Sequence, residues 1–179
     1  MKEVLMEIRE YKGYKAFNKN HTNRHNKLFE EGKIYTTEEN IKFGVSSEHG
    51  YHFCKRLEDT LRYFPAMEEE IAVAEVTGLG EVVEWEDTYY DYYDMYSTSK
   101  IRIDRFLKRE EIISMFLKGN KTVEQVKRFL MSMKLNEVEI ELFKEAYPNN
   151  QDILGTIAYY QEGDKDYYKK VYQKTIERS

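Results

Sequence analysis

The chain has 179 residues, 41% of them hydrophobic and 15% aromatic, which excludes a disordered polymer and fits one domain or one domain with a small appendage. It has no run of about 18 apolar residues, so no membrane span is expected, and its single cysteine, Cys54, can form no internal disulfide. The net charge of −5 is uneven: residues 1–64 carry 12 Lys or Arg against 10 Asp or Glu, whereas residues 65–99 carry ten acids and no Lys, Arg or His. That balance speaks against general nucleic-acid binding and for a partner with a basic surface.

The N-terminal Met1–Glu7 segment has no apolar stretch of the secretory kind. With the unpaired cysteine, this sets the expectation of a cytoplasmic protein. Residues 2–10 read equally as a short helix or an extended arm. Tyr14–Phe17 reads as a strand, and residues 18–32 begin as a polar loop. Lys33–Thr36 and Ile41–Phe43 read as short strands. Tyr51–Cys54 is a strand with Tyr51 and Phe53 on one face and His52 and Cys54 on the other. Leu57–Phe64 reads as a short helix stopped by Pro65. Ile71–Val76 and Glu81–Trp85 are strands punctuated by Gly78 and Gly80, a spacing that predicts a hairpin between them. Lys100–Arg105 alternates strictly and reads as a half-exposed strand.

From residue 108 the apolar period becomes helical. Helices are expected over Glu110–Leu117, after Thr122 with Val123, Val126, Leu130 and Met133 on one stripe, and after Asn136 with Val138, Leu142, Phe143 and Ala146. Two more follow, after Asn150 and after Asp164. The expected architecture is α+β: a mostly antiparallel sheet with one short helix over residues 1–113, then a C-terminal helical bundle over 114–179.

Three groups of residues carry candidate chemistry. His21 and His25 are four apart and His49 and His52 three apart, so imidazoles could meet on a metal, although no diagnostic ligand spacing is present and no metal or other cofactor is assigned. Solvated loop histidines account for the same pattern. His52 and Cys54 share a strand face just before Glu58, so Tyr51, His52, Cys54 and Glu58 are the candidate catalytic set. A small buried cysteine beside a hydrogen-bonded histidine accounts for it equally. If the protein has a pocket, this junction of strand and helix start is where it is expected. The third group is acidic and rich in tyrosine: Glu84, Glu86, Asp87, Tyr89, Tyr90, Asp91, Tyr92, Tyr93, Asp94 and Tyr96. It offers aromatic anchors and negative charge to a basic protein surface, or forms a hairpin whose acids are merely solvated.

The pattern Tyr14-Lys15-Ala16-Phe17, Gly32-Lys33-Ile34-Tyr35, Gly50-Tyr51-His52-Phe53-Cys54 and Glu58-Asp59-Thr60-Leu61-Arg62-Tyr63-Phe64 resembles an uncharacterised domain of bacterial and phage proteins. The resemblance covers residues 12–113 and implies a phage or mobile-element setting, with no activity attached. The order of elements is also similar to ADP-ribosyltransferase-like folds. There Lys15 stands where that family has Arg or His, Ser97-Thr98-Ser99 matches a Ser-Thr-Ser triplet, and Glu137, Glu139 and Glu141 supply Glu-x-Glu pairs. The all-acidic stretch 65–99 and its tyrosines set the leading expectation, a non-catalytic protein, of phage or mobile-element setting, that binds a host protein. The second resemblance implies an enzyme that binds NAD or another nucleotide.

Overall fold

The computed structural model describes residues 10–39, 41, 50–61, 70–86 and 94–177. Residues 42–43 of the expected strand at 41–43, residues 62–64 of the helix over 57–64 and its stop at Pro65 lie outside them. The chain divides into two compact units at Leu107/Lys108, so the first helix after the sheet falls in the second unit. The fold is α+β, with a C-terminal helical region.

The first unit holds seven strands: β1 (Tyr11–Asn18), β2 (Ile34–Thr36), β3 (Tyr51–Cys54), β4 (Ile71–Gly78), β5 (Val82–Glu86), β6 (Asp94–Thr98) and β7 (Lys100–Phe106), with a short helix α1 (Leu57–Thr60) after β3. They form one sheet in the order β2-β7-β4-β1-β3-β6-β5, and every described pairing is antiparallel.

The expected hairpin between the fourth and fifth strands is not formed. β4 pairs with β1 and β7, and β5 pairs with β6. Burial explains the difference. β4 is the near-continuous apolar run Ile71–Val76, half-buried or buried at every residue, and such a strand needs a neighbour on each side. β5 keeps Glu84 exposed and sits at the end of the sheet.

Only Ser99 separates β6 from β7 in sequence, yet the two strands lie four places apart in the sheet. Four strand spacings in a flat sheet amount to about 19 Å. Two peptide steps reach about 7 Å. The sheet therefore curls until the end of β6 meets the start of β7, and Thr98 Oγ1 donates to the Lys100 carbonyl at 3.0 Å across the junction. Inside the curl lie Phe17, Phe53, Ala74, Val76, Tyr96, Ile101 and Ile103, together with Phe29 from the β1–β2 connection.

That connection is more than a polar loop. Asn18 Nδ2 donates to Thr22 Oγ1 and to the Asn23 carbonyl, and Asn23 Oδ1 accepts from the backbone N–H groups of His25 and Lys27. The polar residues so fold the segment back on itself, and Phe29 reaches the core, its ring 5.1 Å from that of Phe17. Two glycines are fixed by close approach. A Cβ on Gly13 would lie 2.3 Å from the Cys54 carbonyl oxygen, and Gly50 combines φ +81° with a would-be Cβ 2.5 Å from Ile41.

Lys15 lies on the core-facing side of β1, where its ammonium donates to the His52 carbonyl at 2.7 Å. Burial lowers its pKa to about 8, helped by Arg24 and opposed by Cys54. Between about 8 and the ordinary lysine value near 10.4, the unfolded chain holds more protons than the folded one. Stability from this group therefore rises with pH across that window, and the full burial penalty is present below it. Lys15→Met removes the penalty. The variant is expected to be more stable than the parent at pH 7 and to show a flatter rise between pH 8 and 10, measured by urea unfolding at a series of pH values. A parallel pH dependence in parent and variant would contradict this.

The second unit contains α2 (Arg109–Leu117), α3 (Val123–Ser132), α4 (Glu137–Ala146), α5 (Gln151–Thr156) running into a π turn (Ile157–Gln161), and α6 (Tyr167–Glu177). Three of the expected caps form, whereas Asp164, expected to cap the last helix, lies ahead of α6 and accepts from the Asp166 N–H. Thr122 accepts from the Gln125 N–H, Asn136 from Glu139 and Asn150 from Ile153. The expected stripes shift in detail: Val126, Phe129 and Leu130 are buried on α3; on α4 Phe143 is buried as expected, but Val138, Leu142 and Ala146 are exposed and Ile140 is buried in their place. The choice of face is made by a stack of rings, Phe129 with Phe116 at 4.1 Å and with Phe143 at 5.7 Å. The π turn serves the end of α3. It aims Gln161 so that Nε2 donates to the Leu130 and Met133 carbonyls and Oε1 accepts from the Leu135 N–H. Among the described residues, no helix is long and apolar enough to cross a membrane.

Candidate functional site

Strand alternation puts Tyr51 on one face of β3 and His52 and Cys54 on the other. Tyr51 packs against the core, its ring 6.2 Å from that of Phe29 and its hydroxyl 3.2 Å from Lys27 Nζ. Cys54 is buried, and burial, with a smaller contribution from Asp59, pushes its thiol up to about 12 against the opposing influence of Thr60, Lys15 and Arg56. An activated nucleophile needs the reverse shift. Glu58 is fully buried on α1 beside Asp59, which takes a 2.9 Å bond from Arg56 Nε. Thr60 Oγ1 donates to the Tyr14 carbonyl at 2.7 Å and ties α1 to β1.

Of the described histidines, His21 and His25 are engaged separately. His21 stacks on Phe106 at 3.6 Å, His25 is an exposed loop residue, and His49 lies outside the described residues. Among the described residues, no group of three or more His, Cys, Asp or Glu side chains is placed to hold a metal ion.

The motifs of the ADP-ribosyltransferase-like resemblance have structural employment. Ser97 accepts from Trp85 Nε1 at 2.9 Å, Thr98 bridges β6 to β7, and Ser99 Oγ accepts from the Glu81 N–H at 3.2 Å. Glu139 closes the capping box at the start of α4. It also takes two bonds of 2.8 Å from Arg109, whose guanidinium holds its carboxyl below the usual range.

In the acidic stretch, Tyr96 is a core residue whose ring lies 5.0 Å from Phe53, so it is not an exposed anchor. Several acids are matched by cations of the same unit: Glu70 by Lys19, Glu75 by Arg105, and Glu84 by Lys55. β5 and β6 form a hairpin with Glu84 opposite Tyr96 and Glu86 opposite Asp94. Asp87, Tyr89, Tyr90, Asp91, Tyr92 and Tyr93, and the side chains of Glu86 and Asp94, lie outside the described residues.

A cleft among the described residues of the first unit lies elsewhere. It has a volume of about 450 Å³ and is lined by Lys12, Gly13 and Tyr14 of β1, Glu75 and Val76 of β4, Arg102 and Asp104 of β7, and Lys55. None of the four candidate catalytic residues lines it. A bulge shapes its floor: β7 pairs Arg105 with Glu75 but Ile103 with Val76, so Asp104 is the extra residue. Asp104 accepts from Thr77 Oγ1 at 2.6 Å and from Arg102 Nε at 2.5 Å. The bulge also brings Arg105 onto Glu75 as a two-pronged pair at 2.7 and 3.2 Å. Burial and the neighbouring Glu75 and Glu58 carboxylates raise the Tyr14 phenol above its ordinary value, so it stays a hydrogen-bond donor. In sequence the only trace of this site is the alternation of Lys100–Arg105 and of Tyr11–Tyr14; the register that joins β1, β4 and β7 comes from the fold.

The sequence model of one family, the domain of unknown function DUF7666, matches residues 11–115, more than half of the chain. The chain belongs to this family. No curated protein and no solved structure matches it. The DUF7666 match spans all seven strands, α1 and most of α2, and so includes the cleft and the β5–β6 hairpin.

Proposed function

We propose that this DUF7666 protein is a non-catalytic binding protein of phage or mobile-element type that meets a basic host protein with the end of its β5–β6 hairpin. The observation that carries the reading is the position and register of that hairpin. β5 is the last strand of the sheet, and Glu86 stands opposite Asp94, so acids flank both ends of the 87–93 connection. The connection itself adds Asp87, Asp91, Tyr89, Tyr90, Tyr92 and Tyr93 without a single Lys or Arg. Aromatic groups among acids in a segment that contains no Lys or Arg suit a basic partner, because the rings supply buried area and the acids steer the encounter. The burial of Cys54, which raises its thiol, and the placement of Tyr51 on the strand face opposite His52 favour binding over the NAD-dependent alternative.

The test is the double charge reversal Asp91→Lys with Asp94→Lys. A partner is captured from host lysate at low salt, identified, purified and titrated against both proteins. The variant is expected to bind about tenfold or more weakly, through a slower association that loses its salt dependence. Unchanged affinity and an unchanged salt slope would refute the reading. Turnover of NAD by the unmodified protein would favour the enzyme instead.

A further inference from the structure

We propose that Phe29, Tyr35 and Tyr51 form an aromatic cage for a quaternary ammonium group of the trimethylammonium class, and that Lys27 is a stand-in which such a ligand displaces. The site is separate from the β5–β6 hairpin and does not rest on its reading. The Lys27 ammonium lies over all three rings, 5.5 Å from the centre of Phe29, 5.3 Å from Tyr35 and 5.4 Å from Tyr51. The rings are inclined to each other as walls: Tyr51 stands at 87° to Phe29, and Tyr35 at 48°. A cation is drawn to the face of an aromatic ring, and several faces around one point recognise cations that have no N–H group to offer.

The walls are held by the fold and not by Lys27. Phe29 is buried in the sheet core. The Tyr35 hydroxyl accepts from the Glu30 N–H at 2.9 Å, and the Tyr51 hydroxyl donates to the Thr36 carbonyl at 3.3 Å. Tyr35 comes from β2 and Tyr51 from β3, strands that are not neighbours in the sheet, so it is the curl that brings the two rings to one place. A ligand meets rings already in position and loses little affinity to ordering them.

The present occupant is held loosely. Lys27 is an exposed residue, and its ammonium uses one of three N–H groups on the Tyr51 hydroxyl, at 3.2 Å. No ion pair among the described residues holds it. A primary ammonium is compact and strongly hydrated, so its other N–H groups favour water over rings. A trimethylammonium group carries the same charge, has no N–H group to satisfy and packs three methyl groups on the rings. The Lys27 side chain can leave without disturbing its turn, which is held through the backbone: the Lys27 N–H donates to Asn23 Oδ1 at 2.9 Å, and the Lys27 carbonyl accepts from the Asn23 N–H at 3.0 Å.

The experiment is a titration of the full chain followed by backbone amide NMR, with choline, ethanolamine and Nε-trimethyllysine as separate probes. Choline is expected to shift the amides of Lys27, Phe29, Tyr35 and Tyr51, with a dissociation constant of about 10 mM in the parent and about 1 mM in Lys27→Ala, where no side chain competes for the cage. Ethanolamine, the same molecule without its methyl groups, is expected to bind at least about tenfold more weakly than choline. Tyr35→Leu keeps apolar bulk and removes a ring face, and in the Lys27→Ala background it is expected to weaken choline about tenfold. Nε-trimethyllysine separates the sources of the group: tighter choline assigns the cage to free small molecules, tighter Nε-trimethyllysine to methylated lysine side chains, and either supports the cage. No shift at these amides in Lys27→Ala, equal binding of ethanolamine, or an unaffected Tyr35→Leu protein would each overturn the proposal, and equal affinity of parent and Lys27→Ala would overturn the stand-in role of Lys27.

Discussion

Gly13→Ala is expected to unfold the first unit or to destabilise it by about 3 kcal/mol or more, measured by urea unfolding monitored on the sheet. The added methyl has nowhere to go. Its carbon would lie 2.3 Å from the Cys54 carbonyl oxygen and 2.7 Å from the Phe53 ring. The first obstacle is backbone, fixed by the pairing of Tyr14 with Cys54, so it cannot turn aside as a surface side chain would. β1 is also the strand between β4 and β3. A displacement there is felt on both sides, including the wall of the cleft. The expected signature is loss of stability of the sheet with the helices of the second unit retained. A variant within about 0.5 kcal/mol of the parent would show that β1 and β3 are further apart than described.

Phe129→Ala is expected to cost about 3–5 kcal/mol in the second unit, whereas Phe129→Leu should cost about 1.5 kcal/mol or less. Phe129 is fully buried and forms the middle of the ring stack, 4.1 Å from Phe116 and 5.7 Å from Phe143. It touches one ring from α2 and one from α4, so its removal opens a cavity between three helices at once. Leucine keeps most of the volume and loses only the ring geometry. Urea unfolding of both variants, read by helical circular dichroism, separates the two effects. Similar costs for alanine and leucine would assign the stability to ring stacking itself. A cost near zero for alanine would mean that the site collapses to fill the space.

Much of the second unit is legible in sequence because its signals are local. Thr122, Asn136 and Asn150 cap the helices they precede, since the capping side chain and the N–H it satisfies lie three residues apart. Which apolar residues face inward is less local. Val138 fits the helical stripe of α4 as well as Ile140 does, yet it is 71% exposed, because the inner face is set by where Phe129 stands. In the first unit the strands of β1, β4, β5 and β7 follow from alternation and apolar runs, but their partners do not. Gly78 and Gly80 look like a hairpin turn, and the chain uses them to leave β4 for the far end of the sheet.

By itself the sequence determined the class of fold, the caps at Thr122, Asn136 and Asn150, and the concentration of acid without base in residues 65–99. Those properties depend on residues within one turn or one strand of each other. The tertiary structure decided the strand order, the curl forced by the single residue between β6 and β7, the burial of Tyr96 and Cys54, and the assembly of Lys12, Arg102 and Asp104 around one cleft. Residues ninety positions apart become neighbours only through register, and register is settled by which faces of the whole sheet are hidden from water.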